Sequence, residues 1–299
     1  MDGNRIDYRL GCRMPIEQWL WLNRTGIFER PELREYACVF PPVDLMHNVS
    51  GLQDVRDFAK HGTDLFAAVS EASPRPLTEY GHILDFGCGS GRLARLFKGH
   101  PGKLSGCDID RRHVAFVNEH LGFMEAKVSG VHPPLPFAEN EFDGVIAISV
   151  FTHLDESSQD EFLADLWRVS GPGAYLFLTV HGARALARAE QEQRVWALLG
   201  IEHPQFAAAK KKFTAEEHAF ILQHGHLTVE RPARWWLPWL RSVPNAAGSA
   251  LLNEPYRYGI TFVPESYVRE HWSRWFIVTS YRHAAIHDFQ DMVVLQPRK

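Results

Sequence analysis

Between about residues 80 and 182 the chain alternates short apolar runs with amphipathic stretches, the pattern of a parallel sheet covered by helices. The spacing predicts strands at His82–Phe86, Leu104–Asp108, Phe123–Val128, Gly144–Ser149 and Ala174–Val180. Helices are expected between them over Arg92–Lys98, Arg111–His120 and Glu156–Val169, and Pro172-Gly173 breaks the chain just before the fifth strand. Upstream, Leu52, Val55, Phe58, Leu65, Phe66 and Val69 recur at roughly helical spacing behind a capping-box pattern at Ser50 and Gln53. Ser73-Pro74-Arg75-Pro76 ends that helix, because proline cannot continue it. Residues 183–270 are less regular. They open on an Ala/Arg/Glu-rich helix, continue with a helix capped by Thr214 with Glu217 in register, and then carry the proline- and tryptophan-rich stretch 232–240. Arg274–Tyr281 and Asp291–Leu295 read as two closing strands.

The domain organisation that follows is a helical N-terminal extension (1–75), a nucleotide-type core (76–182), an insertion covering the substrate (183–270) and closing strands of the core (271–299). Charged residues make up 23% of the chain and the formal net charge is -4, so no basic excess points to nucleic acid; a small or neutral partner fits better. The four cysteines are scattered, with no CxxC pair and no metal-type grouping with histidine, and read as reduced intracellular thiols. The N-terminal residues lead into no apolar targeting segment. The longest apolar run, Val145 to Phe151, is too short to span a bilayer, so a soluble, cytoplasmic protein is expected.

Chemistry concentrates at the first strand. A strand ending in Asp85 that runs into Gly87-Cys88-Gly89-Ser90-Gly91 brings the backbone beside a ligand, although a tight strand-to-helix turn also uses glycine for conformation alone. Asp108, at the end of the next strand and 21 residues after Gly87, stands where a nucleotide-binding α/β fold puts a carboxylate on the ribose hydroxyls. Arg92 occupies the place of a dinucleotide fingerprint's third glycine, which favours a nucleoside without phosphates over a pyrophosphate.

The run Leu84 to Arg92 resembles the glycine motif of class I S-adenosylmethionine-dependent methyltransferases, and Gly106-Cys107-Asp108-Ile109-Asp110 resembles their ribose-binding strand end. Phe142 to Leu154 is similar to the fourth-strand motif, and Leu166 to Ala174 to the turn before the fifth strand. Gln290 to Leu295 resembles the final antiparallel strand of a bacterial subgroup sharing a Ser-Val-Phe-Thr-His-Leu motif, often associated with sugar, polysaccharide or secondary-metabolite modification. The resemblance implies a Rossmann-like, doubly wound seven-stranded sheet with an antiparallel last strand, and S-adenosylmethionine as cofactor. It implies that Gly87, Gly89 and Gly91, with Cys88, line the methionine moiety, Asp85 near its amino group. Asp108 then holds the ribose, Ile109 lies against the adenine, and Ser149 joins the set from the fourth strand. At Val128-Ser129-Gly130-Val131, where many relatives carry an Asp or Asn on the adenine amine, no acid or amide stands.

Methyl transfer from a sulfonium needs alignment and exclusion of water, and an alcohol acceptor also needs a base. His153 after the fourth strand and His181 at the end of the fifth are the candidates, since the reaction space lies beyond the carboxyl ends of the strands. Trp235, Trp236 and Trp239 are candidate acceptor contacts, against the plainer alternative of lid packing. The fourth strand ends without a carboxylate, so no metal is expected. The expected reaction is O-methylation of a small-molecule or glycan hydroxyl; N-methylation of an amine and a non-catalytic scaffold that keeps the fold remain open.

Overall fold

The computed structural model describes residues 13–223 and 257–299. Seven strands form one sheet in the order β3-β2-β1-β4-β5-β9-β8: β1 (His82–Phe86), β2 (Lys103–Asp108), β3 (Glu125–Val128), β4 (Phe142–Ala147), β5 (Ser170–Val180), β8 (Phe276–Ile286) and β9 (Gln290–Pro297). β1 to β5 run parallel, and β9 pairs antiparallel with both β5 and β8. The fold is the Rossmann-like seven-stranded α/β architecture expected from the sequence.

Both faces of this sheet are covered, and adjacent residues divide between them. Ile83, Ile146, Phe177 and Val294 join the core on one face, with Leu65, Phe66 and Val69 of the helix Val55–Ala72. Leu84, Val145, Leu178 and Val293 join the core on the other, with Phe162, Leu163 and Leu166 of the helix Glu156–Val169. Burial on two sides is why the strands read as continuous apolar runs. We label the helices in chain order: α1 (Ile16–Trp21), α2 (Val43–Ser50), α3 (Val55–Ala72), α4 (Arg111–His120), α5 (Glu156–Val169), α6 (Ala183–Gln191), α7 (Gln193–Leu199), α8 (His203–Thr214) and α9 (Glu265–His271). α4 and α5 have the predicted bounds, each with an aspartate cap: Asp110 accepts from Arg112 N, and Asp155 from Ser158 N.

Five local expectations need correction, the first being that Pro172-Gly173 lies inside β5 and not before it. α3 is capped by Asp54, whose carboxylate accepts from Arg56 N and Asp57 N, while Ser50 closes α2 by donating to Met46 O. The segment Arg92–Lys98 is not an α-helix but a turn and a short 3₁₀ helix, Ala94–Phe97. Thr214 ends α8 instead of capping a new helix, and its hydroxyl donates to Lys210 O. The closing strands are longer than predicted and meet in a tight turn, where His287 and Asp288 take φ of 55° and 53°.

The region after β5 builds a second, two-stranded antiparallel sheet, β6 (Ala219–Leu222) with β7 (Gly259–Phe262), which the sequence pattern did not reveal. It is joined to the carboxyl ends of the main strands. Thr261 N donates to Thr152 O (2.9 Å), Val263 N to His181 O (2.9 Å), and Thr261 Oγ1 to Leu154 O (2.6 Å). At the opposite, amino end of the strands Asp143 acts structurally, accepting from Gly81 N, His82 N and Arg75 Nη2 at 2.8–2.9 Å. Among the described residues, no helix is long and apolar enough to cross a membrane.

Candidate active site

The loop after β1 folds back on the end of β2. Gly87 N and Cys88 N both donate to Cys107 O (2.9 and 3.0 Å), and Gly89 N donates to Asp108 Oδ2 (2.9 Å). These N–H groups are therefore committed within the protein and do not form an anion cradle. The glycines serve conformation and clearance: φ is +75° at Gly87 and +49° at Gly89. A Cβ on Gly87 would stand 2.5 Å from Val150 Cγ2, and one on Gly89 2.7 Å from Val49 Cγ1. Gly91 also has positive φ, +78°, but its Cβ would meet Leu121 Cδ1 at 2.4 Å; it lets α4 pack and is not on the wall of the adjoining cavity.

A cavity of about 480 Å³ opens at the carboxyl ends of β1, β2 and β4. Its wall includes Asp85, Gly87, Cys88, Gly89, Asp108, Ile109, Ser149 and His153, eight of the residues named from sequence. Asp108 is oriented by two backbone donors, Gly89 N on Oδ2 and Asp110 N on Oδ1 (2.9 Å each). Each carboxylate oxygen keeps a further lone pair for a ligand hydroxyl. Burial raises its pKa above the usual carboxylate range. Asp85 is 4% exposed and its Oδ2 has no hydrogen-bond partner. Burial and the neighbouring Asp108 push its pKa up to about 7, with Arg92 acting in the opposite direction. Ser149 takes φ of +60°, its N–H donates to Thr179 Oγ1 (2.7 Å), and its hydroxyl accepts from Gln290 Nε2 (2.9 Å), so it offers the cavity backbone more than side chain.

His153 is held by the second sheet. Its Nδ1 is 2.9 Å from Gly259 O, which as an acceptor requires the proton on Nδ1 and makes Nε2 the basic nitrogen of the ring. Tyr258, also on the cavity wall, stacks on the imidazole with centroids 4.6 Å apart and planes 16° from parallel. His181 lies behind this pair and off the cavity wall, 6.5 Å from His153 between ring centroids and packed on Phe262 and Phe289. Burial pushes its pKa down to about 3, which keeps it neutral, and its Nδ1 is 3.2 Å from Thr261 O. Trp235, Trp236 and Trp239 lie outside the described residues.

Sequence reasoning missed several wall residues. Asn48 and Val49 come from α2, and Leu65 from α3, so the N-terminal helices close one side of the cavity. His113 of α4 is buried beside Asp108, with Nε2 3.2 Å from Asn48 Oδ1. Arg92, Arg111, Arg112, Ser129 and Tyr258 are further polar side chains on the wall to which no motif assigned a role. Among the described residues, no group of three His, Cys, Asp or Glu side chains is arranged to hold a metal.

Residues 84–178 match a protein family described as Methyltransferase domain. The chain is similar to 24-methylenesterol C-methyltransferase 2 of Arabidopsis thaliana, with 26% identity over 166 residues that cover 52% of this chain and 45% of the relative. It thus spans about half the length of that curated relative. Among solved structures, it is similar to the PH0226 protein of Pyrococcus horikoshii OT3 (15% identity, TM-score 0.53, 87% of this chain and 97% of the other). A second likeness is to human N-acetylserotonin methyltransferase in complex with its cofactor (15% identity, TM-score 0.46, 99% of this chain and 64% of the other).

Proposed function

We propose that the chain is an S-adenosylmethionine-dependent methyltransferase that O-methylates a small-molecule or glycan hydroxyl, with His153 as general base. The observation that carries this reading is the joint presence, on one cavity wall, of an oriented acidic residue at the end of β2, an unpartnered carboxylate at the end of β1, and an imidazole with its basic nitrogen defined.

The wall suits that cofactor. Asp108 would accept from the ribose hydroxyls, Ile109 would pack on the adenine, and Asp85 would meet the methionine ammonium, which explains why a buried Oδ2 is left without a partner. Gly87 and Gly89 keep the wall clear where a Cβ would fill it. Bound there, the cofactor supplies an already activated methyl group. The protein's own part is to hold the acceptor in line, exclude water and, for an alcohol, take its proton on His153 Nε2. Tyr258 fixes the ring plane and Gly259 O fixes the tautomer.

Asp85 gives this reading a pH signature. Because its free-state pKa is pushed up to about 7, pairing with an ammonium requires loss of a proton at acidic pH. Affinity for S-adenosylhomocysteine is expected to fall by roughly tenfold per pH unit below 7 and to level off just above it. Calorimetry between pH 5.5 and 7.5 checks the slope, and Asp85→Asn is expected to flatten it. The acceptor class is tested by incubating the protein with methyl-labelled cofactor and panels of sugars, phenols, amines and sterols. Label on a hydroxyl supports the proposal, whereas label only on nitrogen or carbon replaces it with another methyl transfer.

A further inference from the structure

Among the buried and part-buried arginines of the described residues, Arg92 is the one whose guanidinium has no hydrogen-bond or ion-pair partner. Arg95 donates to Cys38 O and lies 3.7 Å over the Phe40 ring; Arg75 and Arg168 are paired with Asp143 and Asp165. Among the described residues, Arg92 makes no hydrogen bond or ion pair, although it is part-buried and lines the cavity. Asp85 stands on the same wall, close enough that each biases the other's protonation, yet the two form no salt bridge. Asp85 is buried with Oδ2 unpartnered, and Arg92 turns an unpaired guanidinium onto the same cavity wall; a buried polar atom left without a partner is costly unless a ligand completes it.

Resting on the cofactor reading above, we propose that Arg92 binds the α-carboxylate of the cofactor's methionine moiety, so that Asp85 and Arg92 together recognise its zwitterionic amino-acid head. A guanidinium offers a planar pair of N–H donors that matches a carboxylate. Burial lowers its pKa to about 10, which leaves it charged at neutral pH. The other titratable neighbour, His61 of α3, is held neutral by burial and by Arg92 itself, its pKa pushed down to about 2, and so it does not compete for the anion. The backbone fixes the arginine's place, since a Cβ on Gly62 of α3 would stand 2.5 Å from Arg92 O.

The test is calorimetry with two probes, without any acceptor. S-adenosylhomocysteine carries the whole amino-acid head, and S-adenosyl-3-thiopropylamine keeps the ammonium but lacks the carboxylate. Wild-type protein is expected to bind the first at least tenfold more tightly than the second. Arg92→Gln is expected to weaken the first at least tenfold and the second by less than threefold, so that the preference disappears; Arg92→Lys is expected to keep part of it. The proposal is overturned if Arg92→Gln, with an unchanged circular-dichroism spectrum, keeps the wild-type preference, or if both substitutions weaken the two probes equally. Failure of wild-type protein to bind either probe would instead remove the cofactor reading, and this assignment with it.

Discussion

Asp108→Ala is expected to weaken binding of S-adenosylhomocysteine by roughly 100-fold while leaving the fold intact. Two ribose hydroxyls donating to a carboxylate contribute about 1.5 kcal/mol each or more, and about 1.4 kcal/mol is a factor of ten. The substitution also releases Gly89 N and Asp110 N, the two backbone donors that hold the glycine loop and the start of α4 against the cavity. Asp108→Asn can replace one acceptor but not both, and an intermediate loss is expected. Calorimetry checks both variants, with circular dichroism as the control for folding. Wild-type affinity in Asp108→Ala would remove this residue from the cofactor site.

The second large effect is on turnover. His153→Ala is expected to lower kcat with a hydroxyl acceptor by roughly 10²- to 10⁴-fold, the usual contribution of a positioned base. Affinity for S-adenosylhomocysteine is expected to change by less than about threefold, because no cofactor contact is assigned to the ring. His181→Ala is expected to act differently. His181 is neutral, off the cavity wall and packed between Phe262 and Phe289, so its loss leaves a void and lowers thermal stability more than it lowers kcat. Comparing kcat and melting temperature across the two variants separates the roles. Full turnover in His153→Ala would end the general-base proposal without touching the fold.

The core of the molecule was legible because its strands are buried on both faces and its helices carry strong local signals. Asp110 and Asp155 sit where caps are needed, and α4 and α5 have the bounds their periodicity predicts. Arg92–Lys98 failed because its apolar residues answer to α3, packed across them, and not to a helical face of their own. Ser50 misled for a related reason: it satisfies a capping pattern in sequence, but Asp54 lies nearer the first free N–H groups of α3.

The site was legible only where it is made of consecutive residues. Asp85 to Gly89 and Asp108-Ile109 are strand ends, which a motif can mark. Asn48, Val49 and Leu65 reach the same cavity from helices that precede the sheet, and nothing local to them points to a ligand. Tyr258 and Gly259 were invisible because their role depends on β7 hydrogen-bonding to the segment after β4, across about a hundred residues of chain. The glycine loop, read from sequence as backbone brought beside a ligand, commits the N–H groups of Gly87, Cys88 and Gly89 to Cys107 and Asp108; its positive φ values and its clearances from Val49 and Val150 are what shape the wall.

The central claim, that this cavity binds the methyl donor, is tested most directly by calorimetric titration of the wild-type chain with S-adenosylhomocysteine at pH 7.5. One-to-one binding with a dissociation constant in the micromolar range is the predicted result. Absence of any binding heat at millimolar ligand, together with no shift in melting temperature, would contradict it.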